Sequence, residues 1–119
     1  MDNYYKPINY KRAMEITDND ISLFESMMEA FLQTCSEYTS DIKTAVSNRN
    51  SKELRFFAHR AKSGLSSIGA TAAAEFALKM EQMGESSIFY NIDEIFKVFE
   101  NEIILIESYA KNKKWLEEG

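Results

Sequence analysis

Only two side chains in this sequence of 119 residues are nucleophiles that commonly titrate near neutrality: one histidine, His59, and one cysteine, Cys35. A single histidine excludes a two-histidine metal site, and a single cysteine excludes an internal disulfide framework and any multi-cysteine zinc site. A Cys/His dyad would require the two to meet in space. No glycine-rich phosphate loop is present, and no nucleophile, base and orienting group are legible as a set. Any chemistry therefore turns on His59 and its neighbours.

If His59 lies on a helix, residues three and four positions away share its face. That face collects Lys52, Arg55, Phe56, Lys62, Ser63 and Ser66, while the apolar residues Leu54, Phe57, Ala58, Ala61, Leu65 and Ile68 fall on the other side. His59 is thus expected to project outward rather than into a core. The stretch from Lys52 to Lys62 carries a net charge of +3 in a chain whose total is −5. A positive face around a histidine suits an anion, with a phosphoryl group the first candidate. A solvated helix face that happens to be basic is the plain alternative, and spacing and charge alone do not separate the two. Phe56 reads as either a partly exposed anchor or an aromatic at the edge of the core. Cys35 lies on an apolar stripe, which favours a small core residue over a reactive thiol.

The elements that must position these residues are helices. Phe24, Met27, Met28, Phe31, Leu32, Cys35, Tyr38, Ile42, Ala45 and Val46 step by three and four, which predicts a helix from about 21 to 47, capped by Asp18 or Asp20. The helix bearing His59 opens at Asn50, with Glu53 at capping-box spacing, and is broken by Gly69. A third is expected from Thr71 to Met83 with Gly84 as its stop, and a fourth from an Asn91…Glu94 capping pair through Ala110. Tyr10 to Ile16 predicts a short extra helix; Met1 to Asn9 shows no period and is assigned no structure. No strand pattern competes. The expectation is an all-α protein: an antiparallel four-helix bundle with a short additional N-terminal helix, in one domain over 1–119 whose core bundle spans about 18–115. Composition sets the remaining bounds. With 45% hydrophobic and 13% aromatic residues, disorder is not expected. The acidic balance disfavours nucleic acid, and without an apolar run of about 18 residues or a signal peptide the chain reads as soluble, cytoplasmic and off the membrane. The starting Met1 favours a free-standing protein, and nothing suggests more than a monomer.

The run Ala58-His59-Arg60-Ala61-Lys62-Ser63-Gly64-Leu65-Ser66-Ser67-Ile68-Gly69-Ala70 resembles the signature of histidine-containing phosphotransfer (HPt) domains: a histidine, a lysine three residues on, a small pair, and Gly-Ala at the helix end. Met80-Glu81-Gln82-Met83-Gly84 looks like the family's Leu-Glu-x-x-Gly, and Asp20 to Leu32 is similar to its acidic residue, apolar helix and Phe-Leu pair. The family usually places Gly before Ser after the lysine; here Ser63 precedes Gly64.

The resemblance implies a phosphorelay intermediate that accepts a phosphoryl group on His59 from a receiver-domain aspartate and passes it to another. Lys62 and Ser63 would stabilise the phosphoryl group, and Glu81 would orient the imidazole. Ala61 and Gly64 would allow close helix packing, while Lys52, Arg55, Phe56, Arg60 and Ser66 would ring the docking surface. The implied partners are response-regulator receiver domains and a hybrid histidine kinase. No metal or cofactor is expected on this chain, with magnesium supplied by the receiver, and no autonomous catalysis is expected. The alternative is an HPt-like binding module that docks receivers without carrying phosphate, although such a module has no need of His59 and Lys62.

Overall fold

The computed structural model describes residues 5–118, and these are helical: α1 (Tyr10–Ile16), α2 (Ile21–Ser47), α3 (Ser51–Ser67), α4 (Thr71–Ser86) and α5 (Ile92–Lys111), followed by a 3₁₀ turn at Lys114–Glu117. No strand occurs among the described residues. Short polar side chains start the first three helices by accepting an orphan backbone N–H: Asn9 from Arg12, Asp20 from Leu23 and Asn50 from Glu53. Of the two aspartates expected to cap α2, Asp20 does so. At about 1.5 Å per residue α2 is ~40 Å long, close to the 43 Å long axis of the molecule.

The helices contact one another in a closed ring, α2 on α3, α3 on α4, α4 on α5 and α5 on α2, with α3 and α4 the most intimate pair. Phe24, Met28, Ile42, Leu54, Leu65, Met80, Ile92, Phe99 and Ile106 fill the interior with almost no exposure. Burying each such side chain is worth about 1.5–3 kcal/mol, which is what holds helices with modest intrinsic stability together. Alanines at 58, 61, 73 and 77 are also buried. Their small size lets α3 and α4 approach closely. Gly69, at φ +77°, makes the turn between α3 and α4, and its carbonyl accepts the Asn9 N–H at 2.8 Å, which fixes α1 over that end.

Three expectations are corrected. Gly84 does not stop α4; the helix continues to Ser86, and Gly84 is buried where α4 crosses α3. A Cβ there would lie 2.6 Å from the Arg55 amide nitrogen and 2.8 Å from the Ser51 carbonyl oxygen, so the glycine serves close helix approach rather than termination. Asn91 precedes α5 in the left-handed region, at φ 60°, and its side chain makes no capping bond, so the Asn91…Glu94 pair is not a cap. Asp93 and Glu94 still place negative charge on the first turn, where it suits the helix dipole. The aperiodic N-terminal segment is structured from Tyr5 onward, while residues 1–4 lie outside the described residues. Ile8 is buried, the Tyr5 hydroxyl donates to Glu102 at 2.5 Å, and Lys6 pairs with Glu118 at 2.9 Å. Trp115 of the 3₁₀ turn is buried and packs edge-on against Phe24. No helix among the described residues is long and apolar enough to cross a membrane.

Candidate functional site

His59 stands on the outer face of α3, with 59% of its side chain exposed. The core residues of the same helix, Leu54, Ala58, Ala61 and Leu65, point the other way. Across the α3–α4 contact, Glu81 reaches the ring, its Oε2 lying 3.0 Å from Nδ1. The second oxygen of the same carboxylate, Oε1, lies 2.9 Å from Nζ of Lys62. One acidic group therefore holds both the imidazole and the ammonium.

Glu81 is only 18% exposed. Burial opposes its ionisation, but the Lys62 ammonium and the His59 ring beside it outweigh that and hold the carboxyl below its usual range. An ionised carboxylate can only accept, so Nδ1 must carry the hydrogen and donate it. In the neutral ring this leaves Nε2 with its lone pair, directed away from Glu81 toward solvent.

Ser63, one turn on from His59, is exposed, as is Ser66 a further turn along. Ser66 and Lys62 line a shallow groove of about 270 Å³ with Arg12, Thr71, Ala74, Glu75 and Leu78, so α1 contributes to this face. Arg12 was not among the residues singled out by sequence, since nothing local connects α1 to α3. Ala61 is fully buried, and Gly64 lies against the Tyr38 hydroxyl of α2, where a Cβ would be 3.1 Å from the ring carbon that bears it. Phe56 is 62% exposed and stacks edge-on against the half-buried Phe57. The structure thus places Phe56 outside the core.

The basic face is less uniform than charge counting suggests. Arg55 reaches Glu85 of α4 at 3.9 Å, and Arg60 turns toward α2, to Glu37 at 3.8 Å and Asp41 at 4.0 Å. Lys52 has no ion pair among the described residues. The surface around His59 is a mosaic of exposed pairs, each worth little in water. Glu85 lies one turn after Glu81 and shares its face, a spacing that could have revealed it; Glu37 and Asp41 depend on the register of α2 against α3, which the sequence does not display.

The sequence model of the Hpt domain matches residues 26–103, a span that includes His59, Lys62 and Glu81 but not α1. The crystal structure of histidine-containing phosphotransfer protein B (HptB) from Pseudomonas aeruginosa PAO1 is similar over 92% of this chain and 95% of that one, with a TM-score of 0.81 at 16% identity. No curated protein sequence matches.

Proposed function

The chain belongs to the Hpt domain family, and on that premise we propose that it is a phosphorelay intermediate that takes a phosphoryl group onto Nε2 of His59 from a receiver-domain aspartate and yields it to another. Hpt domains are phosphocarrier modules of two-component signalling, and the fold is theirs. We read the ring of α2 to α5 as an antiparallel four-helix bundle acting as one domain, with α1 as the short additional helix. The observation that carries the reading is the triad of exposed His59, shared Glu81 and adjacent Lys62.

The chemistry follows from positioning. Phosphoryl transfer asks the protein mainly for in-line placement and charge stabilisation. Here Glu81 fixes the ring and its tautomer, so Nε2 can approach the phosphorus of the acyl phosphate. The Lys62 ammonium stands one turn away to meet the phosphoryl oxygens as charge gathers there. Ser63 keeps that space small-sided and offers a hydroxyl hydrogen bond. Phe56, Lys52, Arg55, Arg60 and Ser66 would form the docking surface, with the apolar ring supplying contact and the charges steering approach. The magnesium ion and acidic pocket are assigned to the receiver, and a hybrid kinase to the upstream end. The protein would act as a cytoplasmic monomer without phosphorylating itself from ATP.

The test is transfer of radiolabel from a receiver domain phosphorylated with acetyl phosphate. Wild-type protein should take up acid-labile label. His59→Gln should take up none while keeping its helical circular dichroism, because the residue lies outside the core. Acid-labile phosphate in that variant would overturn the assignment of His59.

A further inference from the structure

A phosphoryl group on an imidazole nitrogen raises a proton question that the geometry of Glu81 answers. We propose that Glu81 keeps the proton on Nδ1 of His59 throughout the transfer cycle, so that the phosphorylated ring persists as an N-phosphoimidazolium. The proposal rests on the phosphocarrier reading above and concerns the state of the ring within it.

The electron count shows why this matters. On acceptance, the Nε2 lone pair forms the N–P bond as the P–O bond to the receiver aspartate breaks, and that electron pair leaves on the aspartate carboxylate. The ring still holds hydrogen on Nδ1 and has gained a positive charge. With no counter-ion it would release that proton to water and become a neutral phosphoimidazole, a poorer leaving group. Onward transfer would then need a proton delivered back. If the Nδ1 proton is kept, the N–P bond breaks, its electron pair returns to Nε2 and the ring leaves neutral with Nδ1–H in place. No proton crosses in either direction.

Glu81 is the acid that meets Nδ1 among the described residues. Its Oε2 is 3.0 Å from Nδ1, on the sheltered side of the ring, whereas Glu75 of α4 lines the groove beside Lys62 and Ser66, and the carboxylates flanking the histidine on either side are drawn to arginines. Glu85 of α4 meets Arg55, and Glu37 and Asp41 of α2 meet Arg60. Lys62, at 2.9 Å from Oε1, keeps Glu81 ionised, so the carboxylate balances the ring's charge without removing its proton. A neutral acceptor at this position would orient the ring equally well but could not balance a cation. Glu81 is therefore a positioning residue whose charge, and not only its oxygen, is used.

Glu81→Gln separates orientation from charge, since it keeps an acceptor and removes the anion. The full chain, labelled with ¹⁵N-histidine, is phosphorylated with phosphoramidate, a small donor that needs no receiver. In the wild type, the ¹⁵N spectrum should show Nδ1 protonated in the phosphorylated form, and the lifetime of the acid-labile phosphate should vary little between about pH 6 and 8.5. In Glu81→Gln, Nδ1 should lose its proton as pH rises, and the lifetime should lengthen, approaching about tenfold per pH unit, as expected when one proton is required. Parallel pH profiles, or a deprotonated Nδ1 in phosphorylated wild type, overturn the proton assignment and leave the carrier reading standing. Wild type that takes no phosphate, from phosphoramidate or from a receiver, overturns both. The wild-type spectrum decides the matter alone if the variant does not fold.

Discussion

His59 on α3 and Cys35 on α2 each meet a carboxylate from a neighbouring helix: Glu81 Oε2 lies 3.0 Å from the imidazole Nδ1, and Glu107 Oε2 of α5 lies 3.7 Å from the thiol sulfur. The pairings look alike and act in opposite directions. An imidazole has a hydrogen to give on one nitrogen and a lone pair left on the other, so an accepting carboxylate fixes it in a nucleophilic form. A thiol has only its one atom, and the nucleophile is the thiolate. Cys35 is 3% exposed, and burial first, then the charge and hydrogen bond of Glu107, push its titration upward and hold it as the neutral thiol. The lesson is that a carboxylate contact does not by itself mark a reactive site. What decides is whether the residue keeps a second atom facing solvent.

The largest expected effect comes from forcing one of these pairs apart. Gly84→Val places side-chain atoms against the α3 backbone at Ser51 and Arg55, which cannot yield as a flexible side chain would. Overpacking of this kind costs about 1–3 kcal/mol. Moving α4 outward also draws Glu81 from His59, and a displacement of about 1 Å can slow transfer by ~100-fold. Melting curves and label transfer should fall together, while alkylation of Cys35 in the folded state should stay slow. Normal transfer in a destabilised Gly84→Val would show that close packing of α4 on α3 does not set the site.

A smaller effect is expected from Lys62→Ala, which leaves the His59–Glu81 contact in place and removes the neighbouring cation. Transfer should slow by about ten- to hundredfold, as for loss of one stabilising donor. Stability should change by no more than about 1 kcal/mol, because the ion pair is only partly sheltered. Unchanged kinetics with a large drop in melting temperature would make Lys62 a structural residue.

Glu107→Gln should produce the smallest change, on the other side of the comparison. It removes the charge that opposes the thiolate but leaves the burial that is the main cause, so iodoacetamide should modify Cys35 only a few-fold faster at mildly alkaline pH. Phosphoryl transfer should be unaffected. A thiol that reacts at the rate of the unfolded chain in wild type would break the contrast, since it would mean that Cys35 is not sheltered at all.

Much of this was legible from local pattern. The apolar steps of three and four place α2 at Ile21–Ser47, the short helix expected at Tyr10–Ile16 is α1, and the 100° advance of a helix puts His59 outward. Asp20 and Asn50 cap where short polar residues precede an amphipathic run. Glu81 as the ring's neighbour was available only through family resemblance, since a glutamate 22 residues along the chain carries no local sign of which helix face it will meet.

What the sequence by itself determined is therefore the set of helices, their apolar faces and the side of α3 on which the histidine stands. These depend on side chains within one turn of each other, whose order along the chain is their order in space. Only the tertiary structure decided that Gly84 is a crossing point, that Arg55 and Arg60 are drawn to opposite neighbours, that Tyr5 bonds Glu102, and that Ile8 is buried and Trp115 packs on Phe24. It also decided that one carboxylate serves both His59 and Lys62. Each of these depends on the register between elements, which is fixed when whole faces pack together to exclude water, and no short window of sequence contains both partners.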